Sequence, residues 1–120
     1  MRVFKIKAFS KWAGKQRLTD AVLNAAITEM ENGLFEANLG GNLYKKRVRL
    51  PGQGKRGSTR TLIAYKKDNR AFFIYGFEKG QRSNITRKEE QALKIFGETL
   101  LDWPELELEK RIIDGELVEI

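Results

Sequence analysis

Three strand-like segments, joined by short connections, constrain the fold of this chain most strongly. They are residues 43–50 (LYKKRVRL), 59–66 (TRTLIAYK) and 71–77 (AFFIYGF), which are rich in apolar, β-branched and aromatic residues or alternate in polarity. Asp68 and Asn69, which favour turns, lie between the second and third segments. Strands joined by short loops pair antiparallel. The chain is therefore predicted to contain a small antiparallel meander sheet.

A strand and a helix are predicted before the meander. Residues 3–9 alternate apolar residues with lysine, which is typical of a strand with one face in water, and residues 9–15 interrupt this pattern. Thr19 is a favourable N-cap for a helix that ends at Gly33. Residues 34–42 are expected to form a loop or a short helical piece that ends in a turn at two glycines.

A second helix is predicted after the meander. Thr86 and Glu89 have the spacing of a capping box, and the helix should run to about Leu101. Residues 102–120 predict a short helix, a turn and a final strand. Hairpin-joined strands with separate helices are typical of the α+β class. We expect one domain over residues 1–120, with an N-terminal strand, helices packed on one side of the sheet, and residues 102–120 as an acidic C-terminal extension.

Positive charge is concentrated in the body of the chain. Residues 1–97 carry 21 lysines and arginines against 8 acidic residues, a net charge of +13. Residues 98–120 carry 2 against 8, a net charge of −6. A basic body favours an anionic partner, nucleic acid first and an anionic membrane surface second. The acidic end is either a solvated surface or folds back onto the basic body.

The residue types that the sequence lacks exclude several kinds of site. The chain has no histidine and no cysteine, so we expect no disulfide, no thiolate or imidazole metal site and no cofactor. No run of apolar residues is long enough for a membrane span, and the N-terminus lacks the apolar core of a secretory signal. The expected compartment is the cytoplasm.

The densest charge lies in residues 44–60, which contain no acidic side chain. Their cations are Lys45, Lys46, Arg47, Arg49, Lys55, Arg56 and Arg60. A nucleotide P-loop is not predicted, because the glycine and lysine spacing differs and no helix follows. A polyanionic ligand would offset the mutual repulsion of so many cations. On a strand, Lys45, Arg47 and Arg49 would share one face, and Lys46 and Val48 the other.

Three alternatives remain open at this level. Residues 51–58 are either a flexible loop whose charges aid solubility or part of a phosphate-binding surface. Arg60 precedes an apolar strand, so it either extends to solvent at the strand end or points into a site. A second basic loop, residues 78–84 with Lys79 and Arg82, lies either at the same end of the sheet as Arg60 or at the opposite end.

The segments KRVRL, GKRGSTRTLIAY and FIYGFEKGQRSNIT, followed by a capped helix, resemble the RelE/ParE superfamily of toxins from bacterial toxin–antitoxin pairs. The resemblance is closest to the HigB-like branch, and it extends to about Leu101. It implies a RelE-like fold and a metal-independent endoribonuclease that cleaves messenger RNA on the ribosome and so inhibits translation. It also implies silencing by a cognate antitoxin, expected to be a helix-turn-helix protein.

The resemblance assigns family functional positions to basic residues of this chain. The basic pair of the first meander strand matches Arg47 and Arg49, which are lysines in RelE itself. The arginine before the second strand matches Arg60, and the lysine of the loop after the third strand matches Lys79. Thr86 stands where RelE has a tyrosine at the start of its last helix. These departures leave the general base unassigned.

The implied reaction uses a nucleophile that RNA itself carries. The 2′-hydroxyl attacks the adjacent phosphate and leaves a cyclic phosphate and a 5′-hydroxyl. Arg60, assisted by Arg56, is the predicted clamp for the transition-state charge. Lysines among like charges are suited to proton transfer, which makes Lys55 and Lys79 the predicted general acid or base. The predicted RNA contacts are Lys45, Lys46, Arg47, Arg49 and Arg82.

Two other functions fit parts of the pattern. A ParE-like toxin that poisons DNA gyrase shares the fold but needs no basic catalytic cluster, so the charge of residues 44–60 argues against it. The charge supports a non-catalytic nucleic-acid-binding module and a nuclease equally. Replacement of Arg60 by alanine separates a nuclease from a gyrase poison, because the nuclease should lose its toxicity and the gyrase poison should be little affected.

Overall fold

The computed structural model describes residues 1–50 and 58–120 of the chain. The elements in these ranges are β1 (Arg2–Ile6), α1 (Lys7–Lys15), α2 (Asp20–Glu31), β2 (Ala37–Gly40), β3 (Leu43–Arg49), β4 (Ser58–Lys66), β5 (Arg70–Glu78), α3 (Arg87–Asp102), α4 (Glu105–Ile113) and β6 (Leu117–Glu119). None of the described helices is long and apolar enough to cross a membrane.

The described strands form one sheet in the order β2-β3-β4-β5-β1-β6. β3, β4 and β5 pair antiparallel in sequence order, which confirms the predicted meander. β1 pairs parallel with β5, so that Arg2 lies opposite Arg70, and β6 pairs antiparallel with β1. The α+β class is therefore confirmed, with the N-terminal strand between β5 and β6.

The N-terminal segment differs from its prediction. β1 ends at Ile6, and the residues expected to complete or interrupt the strand form α1. Phe9 and Ala13, one helical turn apart, are both buried. The predicted wet face of β1 is also wrong, because Lys5 is buried and its ammonium donates to the Asp20 carboxylate at 2.8 Å. Lys5 of the alternating pattern therefore forms an ion pair within the fold, whereas Lys7 is exposed at the start of α1.

α2 begins and ends as predicted, whereas the segment after it does not. The Thr19 hydroxyl accepts a hydrogen bond from the backbone N–H three residues later, and Gly33 has a φ of +82°. Residues 34–42 contain β2, a short edge strand, in place of the expected loop or helical piece. The turn that joins β2 to β3 is Gly41 and Asn42, with φ of +60° and +63°, and Gly40 before it pairs with Leu43.

Helices cover both faces of the sheet, so the prediction that they pack on one side is wrong. Along β4, Leu62 and Ala64 point to one face and Ile63 and Tyr65 to the other, and all four are buried. α1 and α2 pack on the face of Ile63, the α1/α2 face. α3 and α4 pack on the face of Leu62, the α3/α4 face. An interior strand that is apolar on both sides requires this double cover.

The acidic C-terminal segment folds back onto the body of the protein. The predicted capping box of α3, short helix, turn and final strand are all confirmed. Leu108 of α4 and Leu117 of β6 are buried on the α3/α4 face. The Arg2 guanidinium pairs at 2.8–3.0 Å with the carboxylates of Glu105, Glu109 and Glu119. Three carboxylates of this segment therefore pair with Arg2 of β1, away from the basic strand β3.

Candidate active site

The basic strand β3 places alternate cations on the α3/α4 face. Lys45 lies opposite Leu62 of β4, and Arg47 lies opposite Arg60. Because Leu62 points to the α3/α4 face and side chains alternate along a strand, Lys45, Arg47 and Arg60 point to that face too. Arg49 follows with the same parity. The predicted common face of Lys45, Arg47 and Arg49 is thus confirmed.

Glu36, just before β2, lies between these cations. Its Oε1 accepts a hydrogen bond from Arg60 Nε at 2.8 Å. Its carboxylate oxygens also lie 3.7 Å from Lys45 Nζ and 3.9 Å from Arg47 Nη2. We refer to Lys45, Arg47, Arg60 and Glu36 as the cationic cluster. Three positive charges against one negative charge leave an excess that favours a further anion.

The two arginines of the cationic cluster differ in exposure. The Arg60 side chain is only 6% exposed, and besides Glu36 it contacts the Ser58 hydroxyl at 3.4 Å. The Arg47 side chain is 50% exposed. A buried, oriented guanidinium can stabilise developing charge without reorganising, and an accessible one can reach a ligand from solvent. Arg60 is therefore held inside the cationic cluster and does not extend to solvent.

Lys46 lies apart from the cationic cluster. Its side chain points to the α1/α2 face, where its Nζ lies 2.9 Å from a carboxylate oxygen of Glu29 on α2. The side chain is buried, and its charge is paired within the fold. Lys46 is therefore paired on the face opposite the cationic cluster, whereas Arg49 is exposed beside Arg47.

A β-bulge determines which side chains of β5 share the cluster's face. Leu62 of β4 lies opposite Tyr75, but its neighbour Ile63 lies opposite Phe73, so β5 has one extra residue at this point. A one-residue shift reverses the face to which the following side chains point. Tyr75 and Phe77 therefore lie on the α3/α4 face beside the cationic cluster.

The second basic loop lies at the same end of the sheet as the cationic cluster, which decides between the two predicted positions. Asn84 Oδ1 accepts a hydrogen bond from Lys45 Nζ at 3.4 Å. The Arg82 guanidinium lies 5.7 Å from the ring centroid of Phe77, which is the β5 partner of Arg60. The loop thus forms one wall of the site.

Arg82 is held in that wall by an ion pair. Its guanidinium donates to both carboxylate oxygens of Glu89, at 2.5 and 3.1 Å, and to the Tyr75 hydroxyl at 3.1 Å. Hydrogen bonds from Arg82, and then from Thr86, lower the pKa of the Glu89 carboxyl to about 2. The Glu89 hydrogen bond in turn raises the pKa of Arg82. Arg82, predicted to contact RNA, is already neutralised by Glu89.

The remaining predicted catalytic residues lie outside this cluster or outside the described residues. Lys79 is exposed in the turn directly after β5. That turn follows Glu78, which lies opposite Thr59, the neighbour of Arg60. Lys55 and Arg56 fall in residues 51–57, outside the described residues.

Sequence reasoning missed Glu36, and it did not place Tyr75 beside the cationic residues. Glu36 stands nine residues before Lys45, and its role follows from the β2–β3 hairpin that was expected to be a loop or helical piece. The two glycines between alternating residues were the available signal for that hairpin. Tyr75 reaches the site through the bulge in β5, for which Gly76 inside the strand was the available signal.

Comparison with known families agrees with the fold. A family model described as the RelE toxin of the RelE / RelB toxin–antitoxin system matches residues 1–120. No curated protein matches the chain. The family match covers every described strand and helix, including β3, β4 and the cationic cluster. The chain therefore belongs to the RelE toxin family, and it is the toxin of a toxin–antitoxin pair with a cognate antitoxin as its partner.

Proposed function

We propose that this toxin is a ribosome-dependent mRNA endonuclease in which the cationic cluster binds the scissile phosphate. The observation that carries the proposal is the convergence of Lys45, Arg47 and Arg60 within 3.9 Å of the Glu36 carboxylate. A phosphodiester carries the same charge as a carboxylate and accepts hydrogen bonds from the same groups. Side chains that surround Glu36 are therefore suited to surround a phosphate.

In the proposed reaction the 2′-hydroxyl attacks the adjacent phosphorus and the 5′-oxygen leaves. Negative charge grows on the phosphoryl oxygens in the transition state. Arg60, already oriented by Glu36 and Ser58, stabilises this charge without reorganising. Arg47 and Arg49 are exposed and contact the neighbouring phosphates. The family resemblance supports two further parts of the proposal. The ribosome presents the mRNA to the toxin, and the antitoxin is a helix-turn-helix protein.

Arg60→Ala tests the proposal in a purified translation system. The variant should cleave ribosome-bound mRNA about 10²–10³-fold more slowly than the wild type, because one oriented charge donor is lost. Lys11→Ala, which removes an exposed cation from α1, should cleave at the wild-type rate. Primer extension maps the cut, and end-group analysis should find a cyclic phosphate and a 5′-hydroxyl.

A loss of cleavage in Arg60→Ala supports the proposal if the variant still binds the antitoxin and keeps the circular dichroism spectrum of the wild type. Arg47→Ala, at an exposed position, offers a second variant in which folding is not in question. Wild-type cleavage by both variants would contradict the proposal. Intact transcripts together with inhibited DNA gyrase would instead favour a ParE-like poison.

A further inference from the structure

The proposed cleavage needs a proton acceptor, and the chain contains no histidine. The ammonium and guanidinium groups of the cationic cluster are hydrogen-bond donors without an acceptor position, so they accept no proton. Among the described residues, Glu36 is the carboxylate in contact with all three of these cations. It is also a residue that the family resemblance did not assign.

The geometry leaves Glu36 free to act on a bound substrate. Arg60 Nε, at 2.8 Å, occupies one acceptor position on Oε1. Lys45 Nζ at 3.7 Å and Arg47 Nη2 at 3.9 Å attract the carboxylate but lie beyond hydrogen-bond distance. A carboxylate has about four lone-pair positions, so acceptor positions remain that none of the residues in 1–50 and 58–120 fills. The Glu36 side chain is 29% exposed, which gives a substrate access to them.

The backbone around Glu36 is fixed by the sheet. Its N–H donates to the Lys45 carbonyl oxygen at 2.9 Å, and β2 pairs with β3 from the next residue onward. Side chain and main chain are therefore both anchored to β3 and β4. A proton acceptor placed this firmly beside the phosphate-binding arginines needs little rearrangement to reach the 2′-hydroxyl.

We propose that Glu36 is the general base of the cleavage reaction, an inference that rests on the proposed function. The 2′-O–H bond breaks and its proton passes to a Glu36 carboxylate oxygen. The 2′-oxygen forms a bond to phosphorus, the bond from phosphorus to the 5′-oxygen breaks, and the leaving oxygen takes a proton from water. Glu36 then returns its proton to solvent, so charge and atoms balance over the cycle.

A carboxylate with only a structural role would oppose the function of the cationic cluster. The negative charge of Glu36 pairs with Arg60 and lowers the positive potential at the phosphate-binding position. Removal of this charge should therefore strengthen RNA binding. Binding and cleavage therefore respond in opposite directions if Glu36 is the base. The charged groups that face it, among the described residues, are Lys45 and Arg47 from β3 and Arg60 from β4.

Glu36→Gln is the discriminating variant, because glutamine keeps an oxygen that can accept from Arg60 Nε but takes up no proton. Its single-turnover cleavage of ribosome-bound mRNA should fall about 10²–10⁴-fold. The fall in the cleavage rate of the wild type at low pH, the acid limb of its pH–rate profile, should be absent from the profile of Glu36→Gln. Its affinity for an uncleavable 2′-deoxy oligonucleotide should equal or exceed that of the wild type. Glu29→Gln, which removes the carboxylate beside Lys46 on the other face, is the matched control and should cleave normally.

Three outcomes decide the inference. Lost cleavage with retained binding and a lost acid limb supports it. Wild-type cleavage by Glu36→Gln overturns it. Parallel loss of binding and cleavage also overturns it, because Glu36 would then act by holding Arg60. Failure of the wild-type protein itself to cleave mRNA is a separate result, since it refutes the proposed nuclease function before the role of Glu36 is reached.

Discussion

Gly76 of β5 is the position where one added carbon should disturb the fold most directly. The ring of Trp12 from α1 lies over its backbone. A Cβ atom at Gly76 would overlap Cζ3 of that ring and lie 2.5 and 2.6 Å from Cη2 and Cε3. Ordinary contacts between carbon atoms are ~3.5–4.0 Å. Gly76→Ala therefore forces the Trp12 ring to move by about 1 Å.

The expected destabilisation follows from what Trp12 contacts. Its ring packs against Phe9, with centroids 5.4 Å apart, and Phe9 stacks on Phe73 at 5.2 Å. Overpacking of a core costs about 1–3 kcal/mol. Because Trp12 is half-buried and joined to the core through Phe9, we expect a loss of about 2 kcal/mol. With a urea m-value of ~2 kcal/mol/M, the unfolding midpoint should fall by about 1 M.

Urea unfolding followed by tryptophan fluorescence and circular dichroism measures this shift. Gly14→Ala is the control, because no atom lies within 4 Å of its added Cβ and alanine is the better residue inside α1. In a Trp12→Ala background, Gly76→Ala should cost about 2 kcal/mol less than in the wild type, because the overlap with the Trp12 ring is gone. An unchanged midpoint for Gly76→Ala, or equal effects in both backgrounds, would refute the packing argument.

Three further predictions concern stability, pH and salt. Leu108→Ala should lower the free energy of unfolding by about 2–5 kcal/mol in urea titrations, because Leu108 is fully buried. An unfolding midpoint equal to that of the wild type would show that the C-terminal segment does not support the core. The pKa of the Glu89 carboxyl falls from 4.5 to about 2 on folding, so its stabilisation is complete above pH 4.5 and is lost as the pH falls toward 2. Glu89→Gln should flatten this part of the stability curve, measured by urea unfolding between these pH values; an unchanged slope would contradict the pairing. Arg47→Ala should reduce the salt slope of RNA binding by about 0.7, and Lys46→Ala should not, in filter-binding titrations. Equal slopes for the two variants would contradict their placement on opposite faces of β3.

Elements governed by neighbouring residues were predictable from sequence. The Thr19 cap and the Thr86 capping box join residues three apart, so their sequences mark the helix starts directly. Gly33 ends α2 with a positive φ, and Asp68, at φ +60°, turns the chain between β4 and β5. Each of these signals lies within one turn of chain.

Elements that depend on distant partners were not predictable. β2 is four residues long and forms because β3 offers it an edge. β1 lies beside strands that come from far along the chain, and Lys5 is buried because Asp20 of α2 neutralises it. The apolar run of β4 indicated burial, but only the packed helices show that both of its faces are covered.

The candidate site divides in the same way. Its excess of cations and the position of Arg60 at the start of an apolar strand could be recognised in the amino-acid order, because charge density and strand-forming tendency are properties of a short segment. Which side chains lie together depends on the register of the strands in the folded sheet. The alternation of β3 places Lys46 on the opposite face, and the β2–β3 hairpin places Glu36 beside the cations. The extra residue of β5 places Tyr75 on the same face as the cationic cluster. Pairing between strands is a long-range property, and no single segment of the chain encodes it.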